Sequence, residues 1–299
     1  MVERSFKFSI DRGGTFTDVF CECGNGKLRI MKLLSEDPSN YRDAPTEGIR
    51  RILEEVTGID HPKNSPVDTS RIQYIRMGTT VATNALLERK GERTALITTK
   101  GFEDLQYIGN QSRPKIFDLN IRRPEVLFEC VEEVDERVVL LKEGEYICDN
   151  PDDVVIGVSQ EALYVEKAID EDEVRSKLEN IKARGISCIA VAMMHSYTYP
   201  AHERCVERLA RELGFTQISL SSTIMPMVRL VPRGCTTCVD AYLTPVLKRY
   251  LSSFCSGFDA GLAQDVSVCF MQSDGGLTSM DTFLGNRSIL SGPAGRELH

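Results

Sequence analysis

Residues 11–18 read Asp11-Arg-Gly-Gly-Thr-Phe-Thr-Asp18 and directly follow an apolar run, Phe6-Lys-Phe-Ser-Ile10. This pattern predicts a strand that ends in a carboxylate, turns on two glycines and leaves through hydroxyl side chains and a second carboxylate. Gly13 and Gly14 lack a Cβ, so the chain can turn tightly and ligand atoms can approach the backbone amides. Successive N–H groups in such a turn attract anions, which predicts a phosphate site.

The side chains around this turn suit a hydrated magnesium ion beside the phosphate. Thr15 and Thr17 offer hydroxyl donors, and Asp18 is placed to orient a water molecule or to bond back to the loop. Asp11 alone would repel a phosphate, but magnesium is held by one or two carboxylates together with phosphate oxygens and water. The alternative is an ordinary hairpin turn whose Asp and Thr side chains satisfy local backbone groups. The complete pattern favours nucleotide chemistry.

Composition sets the outer bounds on the class of protein. The chain has 299 residues and is 41% hydrophobic, which is enough for one large or two ordinary domains. A net charge of −8 without a basic stripe argues against nucleic-acid binding. No apolar run approaches the length of a membrane span and no signal-peptide core is present, so we expect a cytosolic (cytoplasmic) protein without a membrane partner. Its ten cysteines are then expected to be reduced thiols.

The spacing of apolar residues predicts alternating strands and helices. Strands are predicted at about 6–10, 18–24, 28–33, 72–77, 93–98, 186–194 and 266–271, and helices at about 45–57, 80–90, 171–184, 201–213 and 236–256. Residues 115–165 predict short strands or an inserted β-rich segment, and residues 226–234 predict a connector. Three strands followed by alternating helices and strands indicate an α/β fold with helices packed on a mixed sheet.

Two further stretches carry polar side chains after predicted strands. Gly78, Thr79 and Thr80 stand between a strand and a helix, where hydroxyls and amides bind anions or simply cap the helix. Asn84 lies one helical turn further on, either in the same crevice or facing solvent. Asp274 follows the strand at 266–271, where metal binding, orientation of a water and capping of its own turn are all open.

Two arginines and a histidine complete the polar candidates. Arg229 and Arg233 flank the predicted connector, and salt bridges are favoured over phosphate pairing for both. His195 follows the strand at 186–194, but a single histidine in that position is assigned no role. The chain contains neither a Gly-x4-Gly-Lys-Thr/Ser phosphate loop nor a Gly-x-Gly-x-x-Gly dinucleotide fingerprint.

Several blocks resemble the hydantoinase/5-oxoprolinase family, and most closely its eukaryotic-type, ATP-dependent members. The glycine turn at 11–18 looks like the family's first phosphate motif. The resemblance extends over about residues 6–295 and includes the blocks at 32–41, 44–53, 77–91, 225–234, 273–277 and 291–295. Such long blocks make a chance match a poor explanation.

The resemblance implies an actin-like, sugar-kinase-like (ribonuclease H-like) ATPase fold. It implies ATP-driven opening of the 5-oxo-L-proline lactam to L-glutamate in glutathione turnover, with Mg²⁺ and K⁺, by phosphorylation of the ring amide oxygen and attack by water. A hydantoin is the alternative substrate class, and a sugar kinase of the same fold is disfavoured. By the motif match, the first phosphate loop consists of Asp11, Gly13, Gly14, Thr15, Thr17 and Asp18. Within it, Asp11 is expected to hold magnesium through water. Weaker candidates for the cleft are Gly78, Thr79, Thr80, Asn84 and Asp274.

The resemblance also predicts a domain division. Residues 1–222 are expected to form the family's N-terminal domain, and residues 223–299 the start of the hydantoinase A/oxoprolinase domain. Family members are longer and continue into a second Gly-Gly-Thr phosphate motif, so the chain is expected to be an N-terminal part that lacks the second lobe. We expect it to be inactive alone, or to associate with a partner or a full-length subunit, and we expect a homodimer for the full-length protein.

Overall fold

A computed structural model describes residues 4–24, 26–63, 65–110, 117, 119–120, 124–142 and 154–296. The strands in chain order are β1 (Phe6–Arg12), β2 (Phe16–Glu22), β3 (Leu28–Leu34), β4 (Ile72–Thr79), β5 (Thr94–Thr99), β6 (Cys130–Val134), β7 (Arg137–Leu140), β8 (Val154–Ile156), β9 (Ala162–Lys167), β10 (Cys188–Ala192), β11 (Gln217–Leu220), β12 (Ser267–Met271) and β13 (Leu277–Ser279). The α-helices are α1 (Ala44–Thr57), α2 (Val81–Leu87), α3 (Leu105–Ile108), α4 (Glu171–Ala183), α5 (Ala201–Glu212), α6 (Ser221–Ile224), α7 (Leu230–Cys255), α8 (Gly261–Asp265) and α9 (Ser291–Arg296).

The chain divides into two compact units. The first unit comprises Met1–Gly91 and Pro245–His299, and the second comprises Glu92–Thr244. Pro245, inside α7, falls at the division. These two units are defined by how compactly their residues pack. The boundary predicted at residue 222 divides the chain into family domains instead, and it stays a prediction.

The first unit is built on a mixed six-stranded sheet of order β13-β12-β4-β1-β2-β3. β1 pairs antiparallel with β2 and parallel with β4, and β4 pairs parallel with β12. Parallel strands bring their carboxyl ends to one edge of a sheet, so β1, β4 and β12 all end at the same edge. The mixed α/β architecture expected from the sequence is confirmed.

Helix α1 packs on this sheet through an apolar stripe and a close backbone approach. Ile49, Ile52 and Leu53 are buried at helical spacing, as the sequence predicts. The Asp43 side chain caps the helix by accepting a hydrogen bond from the Thr46 N–H at 3.0 Å. A Cβ added at Gly48 would lie 2.6 Å from Val19 Cγ2, so glycine lets the helix approach β2 closely.

We therefore expect Gly48→Val to lower the free energy of unfolding by about 2 kcal/mol, because extra methyl groups would push α1 away from the sheet. Urea denaturation of the two proteins measures the difference. Glu55→Ala, at an exposed position of the same helix, is the control and should change stability by less than about 0.5 kcal/mol. Equal stabilities of Gly48→Val and the unmodified chain would contradict the close approach.

The second unit contains a parallel sheet of order β11-β10-β5-β6. Every residue of β5 and β10 is buried, because both faces of the sheet are covered. Helices α4 and α5 cover one face, and the start of α7 packs against the other. The predicted β-rich segment at 115–165 contains β6 of this sheet, together with β7, β8 and most of β9, which form a separate antiparallel sheet of order β7-β9-β8. Its residues 115–116, 118, 121–123 and 143–153 lie outside the described part.

Several predicted boundaries were wrong, and two of them concern segments discussed above. Helix α7 begins at Leu230 rather than at 236, so the predicted connector is shorter. Pro232 stands in the first helical turn, where backbone N–H groups have no carbonyl partner within the helix. Proline, which lacks this N–H, is therefore tolerated there. Strand β2 begins at Phe16 rather than at 18, which places Thr17 and Asp18 in the strand and limits the turn to three residues.

The described residues bear on cysteine oxidation, membrane spans and metal binding. The nine cysteines among them are free thiols. No helix in the described ranges has the length and apolar character needed to cross a membrane. The same ranges hold no group of three or more His, Cys, Asp or Glu side chains arranged to bind a metal ion.

Candidate phosphate-binding site

The turn between β1 and β2 is tight because of Gly13. Its N–H donates to the backbone oxygen of Phe16 at 3.0 Å, and Arg12 lies opposite Thr17 in the strand register. A Cβ at Gly13 would lie only 2.9 Å from that same oxygen. Only glycine therefore fits at this position without a shift of the backbone.

Gly14 and Thr15 form the exposed tip of the turn. Their two backbone N–H groups donate no hydrogen bond to any residue in the described ranges. Neighbouring amides of this kind attract an anion, since the partial positive charges of both N–H groups act on the same ligand. The tip is therefore suited to hold a phosphate.

Thr17 supports the turn from the inside. It is fully buried, and its Oγ1 lies 2.9 Å from Ser35 Oγ. Ser35 in turn donates from Oγ to the Gly13 oxygen at 2.7 Å and from its N–H to the Thr15 oxygen at 2.9 Å. Thr17 thus fixes the shape of the loop, and its predicted contact with phosphate stays a prediction. Sequence reasoning missed Ser35, whose only signal was its place in the family-like block at 32–41.

Asp18 lies directly opposite Asp11 in the β1–β2 ladder, so both side chains share one face of the sheet. Its carboxylate accepts a hydrogen bond from Lys32 Nζ at 2.9 Å, and both side chains of this pair are about half exposed. An exposed pair stabilises the fold little. Lys32 nevertheless offsets the negative charge that Asp18 adds beside Asp11.

Asp11 lies next to Gly78, its parallel partner on β4. A Cβ added at Gly78 would lie 3.8 Å from Asp11 Oδ1 and 3.6 Å from the backbone oxygen of Ser291. A carboxylate and a carbonyl oxygen therefore lie close to one point where glycine leaves room. Oxygen ligands of this type are those that Mg²⁺ prefers, so the donor set fits a hydrated magnesium ion.

The start of α9 holds the turn that follows β4. Ser291 is buried, and its Oγ donates to the backbone oxygen of Thr79 at 2.6 Å. Thr83 Oγ1 donates to the backbone oxygen of Ile289. A Cβ at Gly292 would lie 2.5 Å from Thr80 Cγ2, so this approach also requires glycine. The sequence assigned no site role to this segment, although it belongs to the family-like block at 291–295.

The weaker cleft candidates lie beside the glycine turn. Thr80 donates its N–H to the Arg12 backbone oxygen at 3.0 Å, and Asn84 Nδ2 donates to Thr80 Oγ1 at 3.4 Å. A Cβ at Gly14 would lie 3.2 Å from Asn84 Nδ2, so the amide of Asn84 adjoins the tip of the turn. Thr79 accepts a hydrogen bond from the Val81 N–H at 3.3 Å, which is the capping alternative left open by the sequence.

Asp274 follows β12 at the same sheet edge as Asp11. It is exposed and accepts a hydrogen bond from the Gly276 N–H at 2.8 Å. This contact gives Asp274 the turn-capping role that was one of the alternatives. Its part in metal binding stays a prediction.

Arg12 brings a positive charge close to the glycine turn. Its guanidinium carbon lies 5.0 Å from the centre of the Tyr250 ring, and its Nε is buried without a hydrogen-bond partner among the described residues. Burial raises the pKa of Tyr250 far above its usual range, so the phenol is neutral and donates to Met77 Sδ. Burial also raises the pKa of Asp43, even though Thr46 hydrogen bonds and the charge of Arg12 act in the opposite direction.

The shift at Asp43 predicts a pH-dependent effect of Asp43→Asn. Asparagine keeps the cap of α1 and removes the penalty of a buried charge, so we expect the variant to be at least as stable as the unmodified chain at pH 7. The pKa of Asp43 is higher in the folded state than in the unfolded state, so the unmodified chain gains stability as the pH falls through the folded-state pKa. The difference in stability between the variant and the unmodified chain should therefore shrink on acidification, until the pH reaches about 3.8, the pKa of the unfolded state. Urea denaturation at several pH values measures this, and a difference that widens on acidification would contradict it.

The arginines of the 225–234 block do not form the expected salt bridges. Arg229 has no ion pair in the part of the chain that the structure describes. Arg233 is buried and donates to Ser221 Oγ and to the Met227 backbone oxygen, each at 2.9 Å. The expectation was wrong because Arg233 points into the second unit from the first turns of α7. His195, to which the sequence gave no role, has a left-handed backbone with φ 56°.

Two solved structures share this fold. The ATP-dependent caprolactamase of Pseudomonas jessenii superimposes with a TM-score of 0.71 at 23% identity, over 96% of this chain and 39% of that protein. The nucleotide-free acetone carboxylase superimposes with a TM-score of 0.72 at 21% identity, over 97% of this chain and 39% of the acetone carboxylase chain. At these identities, the likeness establishes the α/β fold class and no more.

Family models identify the chain more closely. The model of the hydantoinase/oxoprolinase N-terminal region matches residues 7–214, and that of the hydantoinase/oxoprolinase domain matches residues 233–296. The chain belongs to the hydantoinase/oxoprolinase family. It is 58% identical to 5-oxoprolinase 1 of Arabidopsis thaliana over 99% of its length, and 51% identical to 5-oxoprolinase of Dictyostelium discoideum over 98%. It spans only 23% and 24% of those two proteins.

Proposed function

We propose that this chain supplies one phosphate-binding half of the ATP site of a 5-oxoprolinase, which couples ATP hydrolysis to the conversion of 5-oxo-L-proline to L-glutamate. Relatives that bear the name 5-oxoprolinase are 46–58% identical over almost the whole chain, which supports this substrate. The observation that carries the ATP site is the exposed Gly14–Thr15 tip, whose unpaired amides lie beside Asp11.

ATP solves a chemical problem posed by the lactam. A resting amide is a poor electrophile, and transfer of the γ-phosphoryl group of ATP to the ring amide oxygen, with release of ADP, activates the ring carbon toward attack by water. Cleavage of the ring C–N bond in the adduct, with a proton passing to nitrogen, gives an acyl phosphate, which a second water hydrolyses to L-glutamate and inorganic phosphate. The protein then contributes mainly positioning and neutralisation of charge. Magnesium, when bound, would neutralise phosphate charge and fix the geometry of the phosphate oxygens.

Each part of the glycine turn has a task in this proposal. The amides of Gly14 and Thr15 hold a phosphate, and the Thr15 hydroxyl is exposed beside them. Asp11, with the Ser291 carbonyl oxygen close by, would hold a hydrated magnesium ion when one is bound. The contact between Thr17 and Ser35 keeps the loop in its binding shape before ATP arrives, so little ordering is needed on binding.

The same proposal includes the remaining features of the family. We place the enzyme in the cytosol, in glutathione turnover, with K⁺ as a second cation, and we expect a homodimer for the full-length protein. A hydantoin is the second substrate class, but the high identity to proteins named 5-oxoprolinase favours 5-oxo-L-proline. Because the chain spans about a quarter of these relatives, we expect turnover to need residues beyond the 299 present here.

Calorimetric titration of the 299-residue chain with ATP tests the ATP site. We expect binding with Mg²⁺ present and much weaker binding after chelation with EDTA, since the phosphate charge then lacks its counterion. Failure to bind ATP under both conditions would overturn the proposal.

A second assay addresses the reaction itself. ATP-dependent release of L-glutamate from 5-oxo-L-proline should be undetectable for the 299-residue chain and clear for a full-length 5-oxoprolinase run in parallel. Robust turnover by the 299-residue chain would refute the proposal that it carries only half of the site. Turnover of hydantoin but not of 5-oxo-L-proline by the full-length protein that carries this sequence would reassign the substrate.

A further inference from the structure

A cleft of about 650 Å³ lies within the second unit, where the loop before α7 meets the segment after β10. Its lining residues include Glu161, Tyr197, Met227, Val228 and Arg229. Its volume is that of sites for small organic ligands. No residue of the proposed phosphate-binding turn lines it.

Glu161 presents an ionised carboxylate to this cleft. Ser159 Oγ donates to its Oε2 at 2.6 Å, and the Tyr197 hydroxyl approaches its Oε1 at 3.4 Å. The hydrogen bond from Ser159, followed by that from Tyr197, lowers the pKa of Glu161 below its usual value. The carboxylate is therefore charged at neutral pH and is held in place by hydroxyl groups rather than by a cation.

Arg229 presents the opposite charge to the same cleft. It is exposed, and its backbone stands in the left-handed region at φ 75°, which is uncommon for a residue with a side chain. In the described ranges it forms no ion pair, and in particular its guanidinium lies more than 4.0 Å from Glu161. Two opposite charges thus line one cleft without neutralising each other.

The space beside these charges is apolar. Residues Met227 and Val228 are 57% and 63% exposed, and Met225 and the two prolines at 226 and 232 also line the cleft. Exposed apolar side chains next to a separated pair of charges match a ligand with a short carbon skeleton and two polar ends.

We propose that this cleft binds a small carboxylic acid that carries an adjacent N–H donor. The carboxylate pairs with the guanidinium of Arg229, the N–H group donates to Glu161, and the carbon skeleton packs on Met227 and Val228. The choice of ligand rests on the proposed function, because both 5-oxo-L-proline and the L-glutamate released from it contain this group. The cleft is then a site for the substrate or for the product.

Calorimetric titration of the 299-residue chain with 5-oxo-L-proline and, separately, with L-glutamate tests the inference. We expect at least one of these acids to bind, and the tighter of the two identifies the source of the ligand. 2-Pyrrolidone lacks the carboxylate and glutarate lacks the N–H group, so both should bind at least tenfold more weakly. Absence of binding by both acids, or equal binding of all four compounds, would overturn the inference.

Two variants locate the binding in the cleft. Arg229→Met and Glu161→Gln should each weaken binding of the acid at least tenfold. Arg204→Met is the matched control, since Arg204 is an exposed arginine on α5 outside the cleft and without an ion pair in the described ranges. Equal affinities of Arg229→Met and Arg204→Met would overturn the assignment.

Titration of the Arg229→Met variant with Mg²⁺-ATP separates this inference from the proposed function. We expect unchanged ATP affinity, which also shows that the variant is folded. A chain that binds Mg²⁺-ATP but neither acid would sink the inference and leave the ATP site standing. A chain that binds an acid but not Mg²⁺-ATP would overturn the proposed ATP site and leave the acid-binding cleft standing.

Discussion

Asp11→Asn should weaken binding of Mg²⁺-ATP to the chain at least tenfold, which corresponds to about 1.4 kcal/mol. The substitution keeps the size of the side chain and removes the negative charge that lies near the Ser291 carbonyl and beside the Gly14–Thr15 tip. Without that charge, a magnesium ion bound as proposed would lose its protein carboxylate, and the phosphate would lose the metal that holds it in place. Calorimetry with ATP and excess Mg²⁺ measures the change.

Glu22→Gln is the matched control for this experiment. Glu22 is a carboxylate of the same sheet, but it pairs with Lys7 at 3.0 Å at the far end of β2 from the turn. Its replacement should leave the affinity for Mg²⁺-ATP within about twofold, since an exposed pair of this kind interacts weakly at a distance. If the Asp11→Asn chain bound Mg²⁺-ATP as tightly as the Glu22→Gln chain, Asp11 would lose its assigned role.

Arg233→Met should lower the free energy of unfolding by about 3–5 kcal/mol, because the substitution removes one partner from a buried charged network. Arg233 and Glu203 are both almost completely buried and are linked through Ser221. Arg233 Nε donates to Ser221 Oγ at 2.9 Å, and Ser221 Oγ donates to Glu203 Oε1 at 2.6 Å. Loss of the guanidinium also leaves the Met227 carbonyl without its donor.

Urea denaturation of the Arg233→Met chain measures this effect, with Arg204→Met as an exposed control expected to change stability by less than about 0.5 kcal/mol. The double variant Arg233→Met, Glu203→Leu should lose less stability than the sum of its two single variants, because the uncompensated carboxylate is then gone. A loss below about 1 kcal/mol for Arg233→Met would show that the network is not the stabilising element described here.

The sequence predicted the elements whose signals are local. Helix α1 was found because Ile49, Ile52 and Leu53 recur at helical spacing, and β10 because its residues form a continuous apolar run. The start of α7 was missed because Pro232 and Gly234 normally indicate a connector, whereas the first helical turn tolerates Pro232 and a helix tolerates a single glycine at a cost of about 1 kcal/mol. The mixed sheet followed from the order of these elements.

The contacts that shape the candidate site were not accessible in this way. Ser35 reaches Gly13 across 22 positions, and Ser291 reaches Thr79 across 212 positions. No periodicity relates residues so far apart. In the sequence, a serine that supports a loop also looks the same as a serine on the surface. The glycine turn itself was predictable, because Asp11, Gly13 and Gly14 are adjacent and each has a physical reason to be there.

The discontinuity of the first unit has a consequence for synthesis on the ribosome. Strand β4 ends at Thr79, and its neighbour β12 begins at Ser267, about 190 residues later. At 5–20 residues per second, roughly 10–40 s pass between the two strands. During that interval β4 is an open edge that invites pairing with other chains, while all residues of the second unit emerge. The proposed phosphate-binding edge is therefore completed only after the second unit has emerged, and chaperone dependence during translation should be concentrated in the first 91 residues.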